Sequence, residues 1–169
     1  LVIAAEEIIN ALFGYGSFTK ENITLTAKAL KYFGFGIPAF ALIKVLSNFY
    51  FARDNTITPF HLSLIVVMFN LLISLSYFKQ VGFIIIPIAT SISTWIGVIF
   101  YTYLLIKNKS FVVSSNLIKN ILKIAISAVI MSLILMYGLN YFEENLDYTY
   151  RFKSIYLLLI VGFVGTIYL

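Results

Sequence analysis

The 169-residue sequence contains no cysteine, one histidine and three prolines, and only 11% of its residues are charged. Without cysteine there is no disulfide, no thiolate metal site and no cysteine nucleophile. The single histidine, His61, argues against metal catalysis, and its place after Pro59 at a helix start makes it interfacial rather than a ligand. The pair Gly14 and Gly16 belongs to no phosphate-binding loop, so the motifs of soluble enzymes are missing and the chain reads as a non-enzyme. A net charge of +5 is scattered between apolar runs and forms no basic stripe, which speaks against nucleic acid and for anionic lipid headgroups as the counter-charges.

Hydrophobic residues make up 61% of the chain, and the mean hydropathy is +0.97. A soluble domain of this size has too little interior to hide that much Leu, Ile, Val and Phe, whereas a bilayer accepts apolar side chains on every helix face. The solvent for most of the chain is lipid, and helices are expected because open strand edges cannot be satisfied there. Apolar runs predict six segments, about 1–13, 25–51, 60–78, 83–106, 117–142 and 154–169, the first and last shorter than a full crossing. The chain begins without Met inside an apolar stretch and ends in another, so it reads as a piece of a longer all-α, polytopic transmembrane helix bundle.

The links between segments carry helix-end chemistry. Gly14 and Gly16 stop the first segment, and Thr19 with Glu21 suits the next helix start. The short link Lys79 to Gly82 requires an antiparallel hairpin. Orientation does not follow from charge, because the Lys and Arg other than Lys44 divide five (Arg53, Lys107, Lys109, Lys119, Lys123) against six (Lys20, Lys28, Lys31, Lys79, Arg151, Lys153) between the two sides.

Polar groups inside membrane helices are costly, so their positions are informative. Ser63, Asn70, Ser74 and Tyr77 share one face of the third segment; Thr90, Ser93, Thr94, Gly97 and Tyr101 share one face of the fourth. Residues equally far from the 79–82 turn lie at equal depth, which pairs Asn70 with Thr90 roughly 15 Å into the bilayer. Oxygens converging there would suit a small hard cation, helped by carbonyls that Pro87 exposes; the other reading is packing glue between helices, with Ser93 and Gly97 as a small-xxx-small pair. Lys44 lies about 10 Å inside the end of its helix, with Ser47 and Asn48 extending the polar face. It is either a cavity cation facing an anionic substrate or a snorkelling side chain. Gly34, Gly36 and Pro38 mark a kink or flexible point in the same helix. Glu6 and Glu7 lie about two turns inside the end at Gly14, facing a wet cavity or the bundle interior. Trp95 reads as packing, and Lys119 with Lys123 as contacts to lipid phosphates.

The run Leu12-Phe13-Gly14-Tyr15-Gly16-Ser17-Phe18-Thr19, then Ala29-Leu30-Lys31-Tyr32, then Lys44-Val45-Leu46 through Phe49-Tyr50-Phe51-Ala52-Arg53-Asp54 to Thr58-Pro59, resembles the MurJ (MviN) family. That family pairs an LF-x-x-G-x-FT turn with a K-V-L-x-x-x-[FY]-[FY]-A-x-x-D-x-x-TP helix end. Asn70 and the stretch Gly82 to Ser91 continue the pattern; beyond Lys109 the likeness is one of hydropathy and position.

The resemblance implies a fourteen-helix flippase of the multidrug and oligosaccharidyl-lipid exporter superfamily. Such proteins carry lipid II, the undecaprenyl-pyrophosphate-linked peptidoglycan precursor, across the bacterial inner membrane by alternating access. Residues 1–106 would correspond to helices nine to twelve of the second lobe, and residues 107–169 to helices thirteen and fourteen, which help line a groove for the lipid tail. Gly14 to Thr24 would be periplasmic, and Ala52 to Thr58 and Lys107 to Asn116 cytoplasmic. The partners implied are lipid II and membrane lipids, with Lys44 and Asn48 as substrate or cavity candidates. A sodium site known in some members would fall on Asn70, Ser74, Ile86 and Thr90 here, with Ser74 standing where the family has an acid and so removing a formal charge. Sodium is the one cofactor the resemblance raises. Rival readings are another exporter of the superfamily, for polysaccharide-lipid or drugs, and a membrane-embedded transferase.

Overall fold

The computed structural model describes residues 1–108, 114–142, 146 and 153–168. Among them the elements in chain order are α1 (Ala5–Phe13), α2 (Lys20–Phe51), α3 (Ile57–Val81), a 3-10 turn (Gly82–Ile84), α4 (Ile85–Lys107), α5 (Ser115–Tyr141) and α6 (Lys153–Tyr168). No strand occurs among the described residues. The protein is an all-α membrane helix bundle. Lys20–Phe51, Ile57–Lys107 and Ser115–Tyr141 are long and apolar enough to cross a membrane; the second run is α3 and α4 folded back on each other, and α6 is a shorter apolar helix.

Helix ends follow local chemistry. The Thr19 hydroxyl accepts the Asn22 amide at 3.3 Å and starts α2 at Lys20. The helix thus begins five residues before the apolar run at Leu25, because a cap fixes where a helix starts while hydropathy marks only where it enters lipid. The Asn55 side chain accepts the Thr58 amide and donates to the Thr58 hydroxyl, both at 3.0 Å, closing the turn into α3. Asp54 before it sits at φ 55°, a left-handed conformation that Asp tolerates better than bulkier residues. Ser114 caps α5 through the Asn116 amide.

The sequence link Lys79 to Gly82 shrinks in the structure, since α3 continues to Val81 and Gly82, at φ 72°, turns the chain into the 3-10 segment. Pro38 lies within the helical run from Lys20 to Phe51. One further expectation changes. Pro87 is the third residue of α4, where a missing N–H costs no intrahelical bond, so it frees no interior carbonyl for a ligand.

Contacts group residues 1–31 with 113–169 in one unit and residues 32–112 in another. In the first, Ala4 and Ala11 of α1 join Leu135 and Leu139 of α5, Leu146, and Leu157, Ile160 and Val164 of α6 in a core, while Ala5 and Ile9 pack with Ile23 and Ala27 of α2. In the second, Leu46 and Tyr50 of α2, Leu62 of α3 and Tyr101 and Leu105 of α4 form the core. Large apolar side chains stay exposed on the outer faces, among them Leu71, Leu72 and Leu75 of α3 and Ile121, Leu122 and Ile124 of α5, as expected of surfaces that meet lipid.

Candidate functional site

The α3–α4 hairpin brings together the four cation-site candidates Asn70, Ser74, Ile86 and Thr90. Asn70 Nδ2 donates to Thr90 Oγ1 at 3.0 Å, the Ser74 hydroxyl donates to Asn70 Oδ1 at 3.2 Å, and the Thr90 hydroxyl donates to the Ile86 carbonyl at 2.8 Å. The depth pairing of Asn70 with Thr90 is therefore found as a direct bond. The rest of the α4 stripe packs: Ser93, Thr94 and Tyr101 are almost wholly buried, Thr94 bonds back to the Thr90 carbonyl, and the Tyr101 hydroxyl donates to the Pro59 carbonyl at 3.3 Å. Gly97 is required there, because a Cβ would come within 2.6 Å of Val66 and 2.9 Å of Ile43. On α3, by contrast, Tyr77 is exposed and stands outside the polar chain.

All members of this polar chain are neutral, and the Asn70 amide nitrogen is placed towards Thr90. The donors are spent on neighbouring oxygens in sequence, so the oxygens point along a relay rather than to a common centre. The arrangement can hold two helices in register; bonds of this kind within membranes contribute about 0.6 kcal/mol on average.

Lys44 and Asn48 lie one turn apart on α2, both exposed. Among the described residues neither side chain has a hydrogen-bond partner, and the Ser47 hydroxyl turns back to the Lys44 carbonyl at 3.0 Å. They share a face with each other and are not joined to the Asn70 chain.

Two constellations were missed by sequence reasoning. In unit 32–112, Ser91 and Trp95, one turn apart on α4, donate to the carbonyls of Tyr32 and Phe35 on α2, the latter at 3.0 Å. Gly36 permits this approach, since a Cβ would lie 2.7 Å from Ser91 Oγ. In the other unit Lys153, counted from sequence as a loop cation, is only 1% exposed. Its ammonium donates to Asn10 Oδ1 at 2.9 Å and to the Gly14 carbonyl at 2.7 Å, and lies 4.4 Å from the centre of the Tyr15 ring. Asn10 Nδ2 in turn donates to the Leu146 carbonyl at 2.8 Å, and Ser154 donates to the Ala11 carbonyl at 2.7 Å. The first residues of α6 thus cap the carboxyl end of α1, where the helix dipole favours a cation. Most of the polar loop Glu143 to Lys153 expected from the sequence lies outside the described residues, as do residues 109–113 of the other expected loop, Asn108 to Asn116.

Between α5 and α6 runs an apolar groove of about 330 Å³, walled by Tyr137, Tyr141, Phe142, Tyr156 and Phe163 around Gly138. The absence of a side chain at Gly138 keeps it open; a Cβ there would already lie 3.2 Å from Ile160 Cγ2.

Comparison with known families decides the kinship. The family model for lipid II flippase MurJ matches residues 1–157. The chain belongs to the MurJ family. Among MurJ proteins it is similar to the probable lipid II flippase of Rickettsia prowazekii, 29% identical over 176 residues that cover 100% of this chain and 34% of that protein. It is also similar to the one from Buchnera aphidicola subsp. Baizongia pistaciae, at 26% identity over 169 residues, 100% of this chain and 33% of that protein. The MurJ of Thermosipho africanus is 33% identical over 131 residues, 78% of this chain and 26% of that protein. A solved structure of MurJ in an inward closed conformation superposes with a TM-score of 0.75 and 28% identity, covering 99% of this chain and 33% of that one. The chain thus spans about a third of the length of the curated MurJ relatives it matches.

Proposed function

We propose that this chain serves lipid II translocation across the bacterial inner membrane, as part of a MurJ flippase that works by alternating access and makes or breaks no covalent bond. Residues 1–106 would contribute second-lobe helices, and α5 with α6 would hold the polyprenyl tail of the lipid. The observation that carries this reading is the α5–α6 groove together with the family match: a furrow lined almost wholly by aromatic and aliphatic side chains around Gly138 has the chemistry of an isoprenoid, not of a polar head group. Lys44 and Asn48 are the candidates for contact with the anionic part of the substrate. The hydrogen bonds among Asn70, Ser74, Thr90 and the Ile86 carbonyl support a helix lock in this proposal rather than a sodium site.

The test uses the full-length protein in a bacterial strain depleted of its own flippase. Wild type should restore growth and lipid II exposure on the outer leaflet. Gly138→Trp, which fills the groove, should lose both while its membrane abundance stays normal. Full rescue by the Gly138→Trp protein would overturn the tail assignment, and failure of the wild type at normal abundance would overturn the flippase reading.

A further inference from the structure

Within residues 32–112, α2 is held to its neighbours in two different ways, and the change falls at Pro38. After it, Ala39, Ile43, Leu46 and Tyr50 recur at three- and four-residue spacing and share one helix face. That face packs. Leu46 and Tyr50 join Tyr101 and Leu105 in a core, the Tyr50 and Tyr101 rings stand 5.9 Å apart, and Ile43 lies against Gly97. Before Pro38 the attachments are hydrogen bonds to main chain. The Ser91 hydroxyl donates to the Tyr32 carbonyl and Trp95 Nε1 to the Phe35 carbonyl, the latter at 3.0 Å, where Gly36 lets α4 come close.

The two parts meet at a joint. Pro38 has no amide hydrogen, so it cannot donate to the Gly34 carbonyl one turn earlier, and its ring crowds that carbonyl. Gly34 and Gly36, without a Cβ, oppose a bend there less than other residues would. Bending at Gly34–Pro38 carries Tyr32 and Phe35 relative to the packed part of α2 and breaks the two bonds from α4. Ser91 has a second acceptor when this happens. Its neighbours Thr90, Ser93 and Thr94 bond back to the carbonyls of Ile86 and Thr90 on their own helix. Released from Tyr32, the Ser91 hydroxyl can turn to the Pro87 carbonyl in the same manner, so it is not orphaned. The Trp95 indole is not among the side chains that bond back in this way. It loses its acceptor and supplies most of the hold.

We propose that α2 bends at Gly34–Pro38, and that Ser91 and Trp95 of α4 are the latch that holds it in the course seen here. For alternating access, such a joint lets one part of a spanning helix move while the part packed on α3 and α4 stays in place. The device is built from residues 32–95 alone and does not depend on what the protein carries.

The experiment measures distances between paired spin labels in the full-length protein in lipid nanodiscs, with every cysteine outside the labelled positions replaced. One pair joins Lys28, on α2 before the joint, to Phe78 on α3. The control pair joins Val45, after the joint, to Leu64 on α3, and all four positions are exposed. Ser91→Ala combined with Trp95→Phe removes both donors and keeps an aromatic ring. It should raise the ratio of shifted to original Lys28–Phe78 distances about sevenfold, the effect of two bonds of average strength in a membrane, and leave the Val45–Leu64 distance unchanged. Adding Pro38→Ala, which gives the Gly34 carbonyl its amide donor, should return the first pair to the wild-type distribution. A wild-type distribution in the latch variant would overturn the proposal, as would a shifted population that Pro38→Ala leaves in place. So would broadening of both pairs, which marks lost packing rather than a released latch.

Discussion

The Lys153 ammonium lies 2.7 Å from the carbonyl oxygen of Gly14, 139 positions earlier in the chain. Gly14 ends α1, so the first residue of α6 supplies the cation that the end of α1 calls for. Lys153→Met should remove the charge and leave Asn10 Oδ1 and the Gly14 carbonyl without their donor, at a cost of about 3 kcal/mol. Lys119→Ala, at an exposed position on α5, should change stability by less than about 0.5 kcal/mol. Chemical or thermal unfolding of the full-length protein in detergent separates the two; equal effects would remove the clasp.

Gly36 on α2 and Ser91 on α4 come close together in unit 32–112. A methyl group at Gly36 would meet Ser91 Oγ at 2.7 Å and its Cα at 3.2 Å. Gly36→Ala should therefore destabilise by about 1–3 kcal/mol, the range for overpacking. In a Ser91→Ala background the hydroxyl is gone, and the same substitution should cost visibly less. Additive losses would place the strain elsewhere.

Asn70→Leu and Thr90→Val each break the same bond across the α3–α4 hairpin, so the double variant should cost less than the sum of the singles, with a coupling of about 0.5–1.5 kcal/mol. Because the chain is a lock, flipping assayed in sodium and in potassium buffers should proceed alike in the wild type. A sodium requirement that Asn70→Leu abolishes would restore the cation reading of this chain.

The hairpin and its Asn70–Thr90 pairing were legible in the sequence because two physical rules sufficed: a four-residue link forces antiparallel helices, and the rise per residue sets depth. Helix starts took a second signal. Hydropathy locates lipid, not hydrogen bonds, so the apolar run opened only at Leu25, whereas Thr19 with Glu21 marked the start that the Thr19 cap on Asn22 bears out. Lys153 was missed for a similar reason. A lysine beside a polar loop carries no mark of burial, and its partners Asn10 and Gly14 are distant in sequence. Ser91 and Trp95 were obscured because they bond to backbone carbonyls of α2, an acceptor that every residue has.

Lys44 offers the sharpest test of substrate contact. Its side chain is exposed, Asn48 follows one turn later on the same face, and the residue lies seven positions before Phe51, the end of α2. At about 1.5 Å per residue that is about 10 Å inside the helix end, within reach of a snorkelling ammonium and equally of an anionic group in a cavity. The two roles part on substitution. A snorkelling lysine supplies only apolar stem and solvated charge, so Lys44→Gln would leave function intact; a substrate cation is needed for its charge. Lys44→Gln should fail to support growth of a flippase-depleted strain at normal protein level, and Lys44→Arg, which keeps the charge, should support it at least in part. Normal growth with Lys44→Gln would reduce Lys44 to an interfacial anchor and leave Asn48 without a partner in substrate binding.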